Sequence, residues 1–205
     1  MPVTVRGMND TQTPRTQYFV AASLDGYIAD TEGRLDWLFA FNEAEGLDAH
    51  IEKYMEGVGA IAMGASTYEF VLAEKPKEWP YKVPCWIFTH RELPRLESDP
   101  GADLRFTQAD VGLVHAQMVE AAGGKNVWLV GGGNLVAQFA LRGLVDELHL
   151  AVMPVILGGG APLLPARVAG ELSLDGVTHF PRGVLELRYS FPRDGGRKSP
   201  ENAAP

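Results

Sequence analysis

Asn126-Val127-Trp128-Leu129-Val130, then Gly131-Gly132-Gly133, then Asn134-Leu135-Val136-Ala137-Gln138-Phe139-Ala140-Leu141 is the stretch on which the fold turns. Its opening residues are short, continuous, apolar and rich in β-formers, and they predict a buried strand. The closing residues place Leu135, Phe139 and Leu141 at helical spacing and predict a helix. Between them lies backbone without side chains, at the opening end of that helix. Consecutive N–H groups there can close on a phosphate, and the helix dipole favours the negative charge. The same residues also make a tight strand-to-helix turn, because glycine tolerates positive φ. This stretch alone leaves both readings open. It is not the G-x-G-x-x-G fingerprint, since Val136 stands at the last glycine position, and no Gly-Lys-Ser/Thr follows to make a P-loop.

The rest of the composition narrows the class. A chain of 205 residues is one domain with room for a sizeable core. A net charge of −8 without a basic stripe argues against a nucleic-acid partner. The one basic cluster, Arg193 to Lys198, lies in a polar tail. The single cysteine, Cys85, excludes an internal disulfide framework and suits a reducing cytosol, so a cytoplasmic location is expected. Met1 to Arg15 has no apolar signal-peptide core, and no stretch approaches the roughly 20 apolar residues of a membrane span. The five histidines show neither i, i+4 pairing nor close spacing with cysteine, so no metal site is expected.

Residues 1–15 and 192–205 read as disordered tails around a domain at 16–191. Within it, strands are predicted at Gln17 to Ser23, Tyr27 to Ala29, Ala60 to Met63, Val83 to Thr89 and Leu104 to Thr107. Helices are predicted from Asn42-Glu43-Ala44-Glu45 toward Gly57, from about Ser66, and from Asp110 to Gly123. Beyond Gly143, Glu147 to Val155 and Val184 to Phe191 read as strands with no strong helix between them. The order is βα units followed by a β-rich end, an α/β domain with a mixed sheet.

Four segments carry chemistry. Ser23-Leu24-Asp25-Gly26-Tyr27-Ile28 is a turn after the first strand, readable as a plain hairpin. Met63-Gly64-Ala65-Ser66-Thr67-Tyr68-Glu69 runs from a strand through Gly64 into hydroxyl residues, where Ser66 and Thr67 can cap a helix or contact a pyrophosphate. It lacks the second glycine of a serine-hydrolase elbow. Phe88-Thr89-His90-Arg91 ends a strand, where open α/β sheets border their ligand crevice. A hydroxyl, an imidazole and a guanidinium there suit a phosphomonoester such as the 2′-phosphate of NADP, or a solvated loop. The fourth is the triple glycine, with a second run at Gly158-Gly159-Gly160 that reads as a turn.

Together these segments resemble the dihydrofolate reductase-like superfamily, in the branch of the riboflavin-biosynthesis reductase domain and its stand-alone relatives. The matching motifs are S-x-D-G-x-I at Ser23 to Ile28, a G-R-x-T-Y-E type segment at Gly64 to Glu69, and G-G-G-x-L at Gly131 to Leu135. The last is Leu144-Val145-Asp146-Glu147-Leu148 through Pro154, Leu157, Gly158, Gly160, Pro162 and Leu163. Ala65 departs from the pattern, where an arginine is common. The resemblance implies a three-layer α/β/α fold with a mixed, mostly parallel central sheet, and NADPH lying across the C-terminal strand ends. Gly131, Gly132, Gly133, Asn134 and Leu135 would hold the pyrophosphate. Gly64, Ser66 and Thr67 would flank it, and Thr89, His90 and Arg91 would take the 2′-phosphate. Ala22 with the Asp25-Gly26 turn would line the nicotinamide.

Hydride transfer also needs a proton source, and a carboxyl in an apolar pocket can be held neutral enough to serve. The candidates are Asp25 and Asp36, the latter set among Leu35, Trp37 and Leu38. Trp37 and Tyr54 could stack on a flat heterocyclic substrate, or belong to the core. The expectation is an NADPH-dependent oxidoreductase reducing a small pterin- or pyrimidine-like substrate. The alternatives are a 5-amino-6-(5-phosphoribosylamino)uracil reductase-type enzyme of riboflavin biosynthesis and a non-catalytic nucleotide-binding protein. Leu148, Leu150 and Val152 on one strand face, with His149, Ala151 and Met153 on the other, leave one apolar face in need of a cover. With the branch's habit of dimerising, this predicts a homodimer.

Overall fold

The computed structural model describes residues 13–41 and 45–192. In chain order the elements are β1 (Thr16–Ser23), β2 (Tyr27–Ala29), α1 (Asp36–Phe39), α2 (Leu47–Glu56), β3 (Val58–Gly64), α3 (Ala65–Ala73), β4 (Cys85–Phe88) and β5 (Leu104–Thr107). There follow α4 (Val111–Ala121), β6 (Asn126–Gly131), α5 (Gly133–Leu141), β7 (Glu147–Met153), β8 (Ala161–Pro162), β9 (Ser173–His179) and β10 (Leu185–Ser190). Of the expected tails, residues 1–12 and 193–205 lie outside the described residues, as do residues 42–44 of the helix-opening segment.

An eight-stranded sheet in the order β5-β4-β3-β6-β1-β7-β10-β9 forms the middle layer. From β5 to β7 all pairings are parallel, and β10 joins β7 and β9 antiparallel. Strand β3 is buried along nearly its whole length, which explains its unbroken apolar run. One face packs under α4 and α5, where Val114, Met118, Val136 and Phe139 meet Tyr18, Ala62, Val127 and Leu129. The other face carries Ile61, Met63, Cys85 and Ile87 beneath Tyr68 of α3 and Trp79. Helix α4 starts where Asp110 accepts a hydrogen bond from the Gly112 amide at 2.8 Å, as its sequence signal predicted.

Strand β9 is absent from the sequence expectation. Its apolar residues, Leu174 and Val177, are three apart, and Asp175-Gly176 between them reads as a turn. A register shift opposite Arg188 and Tyr189 absorbs the broken alternation and keeps the strand paired. The cover needed over Ala151 and Met153 comes from within the chain, as Trp37, Leu38 and Phe41 pack there with Val184. This end exposes Ile156 and Leu172 instead, and on β9 Leu174 and Val177, at 55% and 45% exposure. Among the described residues no helix is long and apolar enough to cross a membrane.

Candidate functional site

Connections leave β1 and β6 in opposite directions. The chain runs from β1 toward β3 on one side, and from β6 through α5 to β7 on the other. Right-handed crossovers then put the helices on opposite faces, and a crevice opens where two such neighbours meet. The pairing records this split. The β1–β6 ladder ends at Tyr18–Leu129, whereas β1 stays paired with β7 up to Ser23–Met153. The Phe19 carbonyl, just past the last β6 pair, accepts a 3.0 Å hydrogen bond from the Trp128 indole.

Two helices begin beside this crevice, α3 directly after β3 and α5 directly after β6. Neither N-cap, Gly64 or Gly132, provides a side-chain cap, so the first amides of each helix keep their donors free. The two starts are close: a Cβ on Gly64 would lie 3.9 Å from the Gly132 nitrogen, and one on Gly131 would lie 3.5 Å from the Thr67 hydroxyl. The three glycines have separate tasks. Gly131 takes φ +148°, which excludes ordinary side chains, and Gly133 lets the Pro162 and Leu163 carbonyls approach to 2.4 and 2.7 Å of its absent Cβ. A Cβ on Gly132 would meet only Ile28, at 3.9 Å, and so would project into open space. Two uncapped helix starts facing one open backbone segment fit a pyrophosphate by donor chemistry and by dipole. Leu135 is a core residue whose amide already donates to the Gly132 carbonyl at 3.0 Å, whereas Asn134 and Ser66 are exposed and Thr67 is half-buried.

At the end of β4, Arg91 and His90 are exposed. The Thr89 hydroxyl accepts from the Arg91 amide at 2.9 Å, which shapes the turn. The Arg91 guanidinium donates to Glu69 of α3 at 2.7 Å. A phosphate taken by Arg91 must therefore share the guanidinium with a carboxylate or displace it, which residue type alone did not reveal.

The two acids part company. Asp25 accepts from the Ser23 hydroxyl at 2.6 Å and from the Leu157 and Gly158 amides at 3.1 and 2.7 Å. These hydrogen bonds, that of Ser23 foremost, lower its pKa and hold it as the anion. Asp25 thus ties the turn after β1 to the segment after β7, with Gly26 accepting from the Leu163 amide at 2.9 Å. It has no proton to give. Asp36 was expected in an apolar pocket, but its side chain is 81% exposed, 3.7 Å from Arg34. Its apolar neighbour Trp37 turns inward to the core while the carboxyl faces solvent, as the two point to different sides of a single helical turn.

Two further placements differ from expectation. Ala22 is 1% exposed within β1 and lines no open surface; only its backbone could meet a ligand. Tyr54 is packed under α2 at the inner end of the crevice, where β1 and β6 part, with its ring held in the core. It packs at 4.6 Å from Phe19 and 5.8 Å from Trp128, and burial pushes its phenol well above the usual pKa. It lines a cavity of about 690 Å³ that opens at the start of β1 and β7, with His50, His149, Glu147 and Glu186. Sequence reading missed this group, because Leu185-Glu186-Leu187-Arg188 alternates like a strand with a solvated face.

Comparison with known proteins agrees with this architecture. The family described as the RibD C-terminal domain matches residues 14–185. The uncharacterized protein YwjB of Bacillus subtilis is 33% identical over 177 residues, covering 85% of this chain and 97% of that protein. The riboflavin biosynthesis protein RibD of Bacillus amyloliquefaciens is 26% identical, over 83% of this chain and 53% of its own length. A crystal structure from Shewanella sp. PV-4, provisionally assigned to riboflavin biosynthesis, superposes with a TM-score of 0.73 at 27% identity, covering 87% of this chain and 99% of that one. A pyrimidine reductase-like protein of Corynebacterium diphtheriae shares the fold, with a TM-score of 0.63 at 17% identity, covering 88% and 93% of the two chains.

The Asp25 clamp sets a pH dependence. Its pKa is lower in the folded chain, so its stabilisation is present above the ordinary carboxylate range and is lost as pH falls through the folded value. In urea melts, Asp25→Asn should be less stable than the wild type by a constant margin from about pH 8 to about pH 5, and the margin should close on further acidification. A margin that is absent at neutral pH, or that widens in acid, would contradict the clamp.

Proposed function

The chain belongs to the RibD C-terminal domain family, and from that premise we propose that it is an NADPH-dependent reductase delivering hydride to a small pyrimidine- or pterin-like heterocycle. The observation that carries this reading is the meeting of two uncapped helix starts at the mouth of the β1–β6 crevice. The pyrophosphate would rest on the backbone of Gly131 to Asn134 and Gly64 to Thr67, and the 2′-phosphate on Arg91 once Glu69 shares or yields the guanidinium. NADPH would supply the hydride, and the substrate atom that gains electron density needs a proton. Asp25, held as the anion, shapes the loop over the ring instead of donating. We keep Asp36, whose carboxyl faces solvent from α1 beside Arg34, as the candidate for relaying a proton from solvent to substrate.

We also infer a homodimer, with β9 at the contact. This edge strand exposes Leu174 and Val177 together with unpaired backbone, the combination that edge strands otherwise avoid. Light scattering at micromolar concentration should give twice the chain mass, and a monomer would remove this assignment.

Titration with NADPH and NADH tests the cradle. The wild type should prefer NADPH, and Arg91→Ala should erase the preference, since a charge-assisted hydrogen bond contributes about 1.5–3 kcal/mol. Gly132→Val, whose Cβ would meet only Ile28 at 3.9 Å, should remain folded by circular dichroism yet lose NADPH. A folded Gly132→Val variant of unchanged affinity would leave the glycines as a turn only.

Turnover separates the acids. Asp36→Asn should keep NADPH affinity while lowering the rate by about 10²–10⁴, the range for a lost general acid. An unchanged rate would assign the proton to solvent alone.

A further inference from the structure

The cavity beneath α2 opens at the end of the sheet opposite the crevice and runs along β10 to Glu186, which is level with Ala21 of β1. Its floor is Gln17 and Glu147, which pair at the start of β1 and β7, and Ser23 at the crevice end is six residues, about 20 Å, further along β1. No residue placed in the NADPH cradle lines it. Its volume, about 690 Å³, is that of a small-molecule site.

Its inner wall is rich in acceptors that have nothing to accept. Glu186 is 2% exposed; one carboxylate oxygen takes the His50 ring at 2.5 Å, and the other has no hydrogen-bond partner. Gln17 is 6% exposed; its amide donates to Glu147 at 2.7 Å while its carbonyl oxygen is unpartnered. The buried Tyr54 hydroxyl is also unpartnered. Unpaired buried polar atoms are costly, and three along one wall are not explained by packing. Among the described residues the ion-pair partners of Glu186 are His50 and His149, with no lysine or arginine. The permanent cations of the lining, Lys53 and Arg188, stand exposed at the rim.

An acceptor-lined interior, with Lys53 and Arg188 at the rim against one exposed carboxylate, Asp175, has a definite complement. We propose that this cavity is a second ligand site for a small amphoteric molecule, its guanidinium or ammonium group seated against Glu186 and Gln17 and its anionic group facing Lys53 and Arg188. The soft terminal torsion of glutamate lets the Glu186 carboxylate turn toward the ligand, and the Tyr54 and His149 rings, 5.5 Å apart, provide π surface for the cation. The site takes no part in the cofactor cradle, so each stands or falls independently.

Calorimetry with 4-guanidinobutyrate tests it, against agmatine, which carries an ammonium in place of the carboxylate, and butyrate, which lacks the guanidinium. The full molecule should bind saturably at one site per chain, agmatine more weakly and butyrate not at all. Glu186→Gln, which keeps the shape, should weaken 4-guanidinobutyrate at least about tenfold, the loss of one charged hydrogen bond. Lys53→Glu, at an exposed position, should weaken 4-guanidinobutyrate and tighten agmatine, which keeps the test open should Glu186→Gln misfold. Gly132→Val should change none of these affinities. The site is refuted by absent binding at millimolar ligand, by butyrate binding as tightly as the full molecule, or by affinities that neither variant moves. Loss of the dimer in Glu186→Gln without any ligand binding would make the groove a subunit interface and overturn the proposal equally.

Discussion

Strand β1 is shared between two ladders of unequal length, and the candidate site depends on that inequality. With β7 it remains in register to Ser23, whereas with β6 it parts after Tyr18. The partings follow from the connections, which leave β1 and β6 toward opposite edges and so place α3 and α5 on opposite faces. A sheet wound in one direction would have sealed this seam. Here β6 stays bonded to β3 as far as Gly131 while its other edge is released, and the helix starts at Gly64 and Gly132 come together above the opening.

Charge is handled by backbone at this end of the molecule. The chain carries a net charge of −8, an unfavourable setting for a multiply charged anion. Helix amides at Ala65 to Thr67 and Gly133 to Asn134 supply donors without counter-charges, and Arg91 is neutralised by Glu69 until something stronger competes. Asp25 places a carboxylate beside the same region, but its charge is absorbed by two amides and a hydroxyl in holding two loops together. The mouth is thus shaped by an anion and lined by dipoles.

The parts of this design legible in sequence are those governed by local rules. The strand-glycine-helix transition at 126–141, the Asp110 cap and the buried run of β3 each follow from neighbours in the chain. What escaped depends on contacts between distant residues. Leu35, Trp37 and Leu38 around Asp36 predict burial, but the helical turn sends the tryptophan in and the carboxyl out. Tyr54 reads equally as a substrate platform or core, and only the packing of α2 against Phe19 and Trp128 puts its ring in the core. Strand β9 was hidden by an Asp-Gly pair inside it, whose turn preference is overridden by pairing with β10. The glutamate partner of Arg91 lies 22 residues away, and local pattern is silent on it.

The central claim is that one cofactor bridges the starts of α3 and α5. Hydrogen–deuterium exchange of the wild type with and without NADPH measures it at the backbone groups concerned. The account predicts slowed exchange at the amides of residues 64–67 and 131–135, two segments distant in sequence protected by one ligand. Protection confined to one of these segments, or found only at residues 147–149 and 186–188, would contradict it.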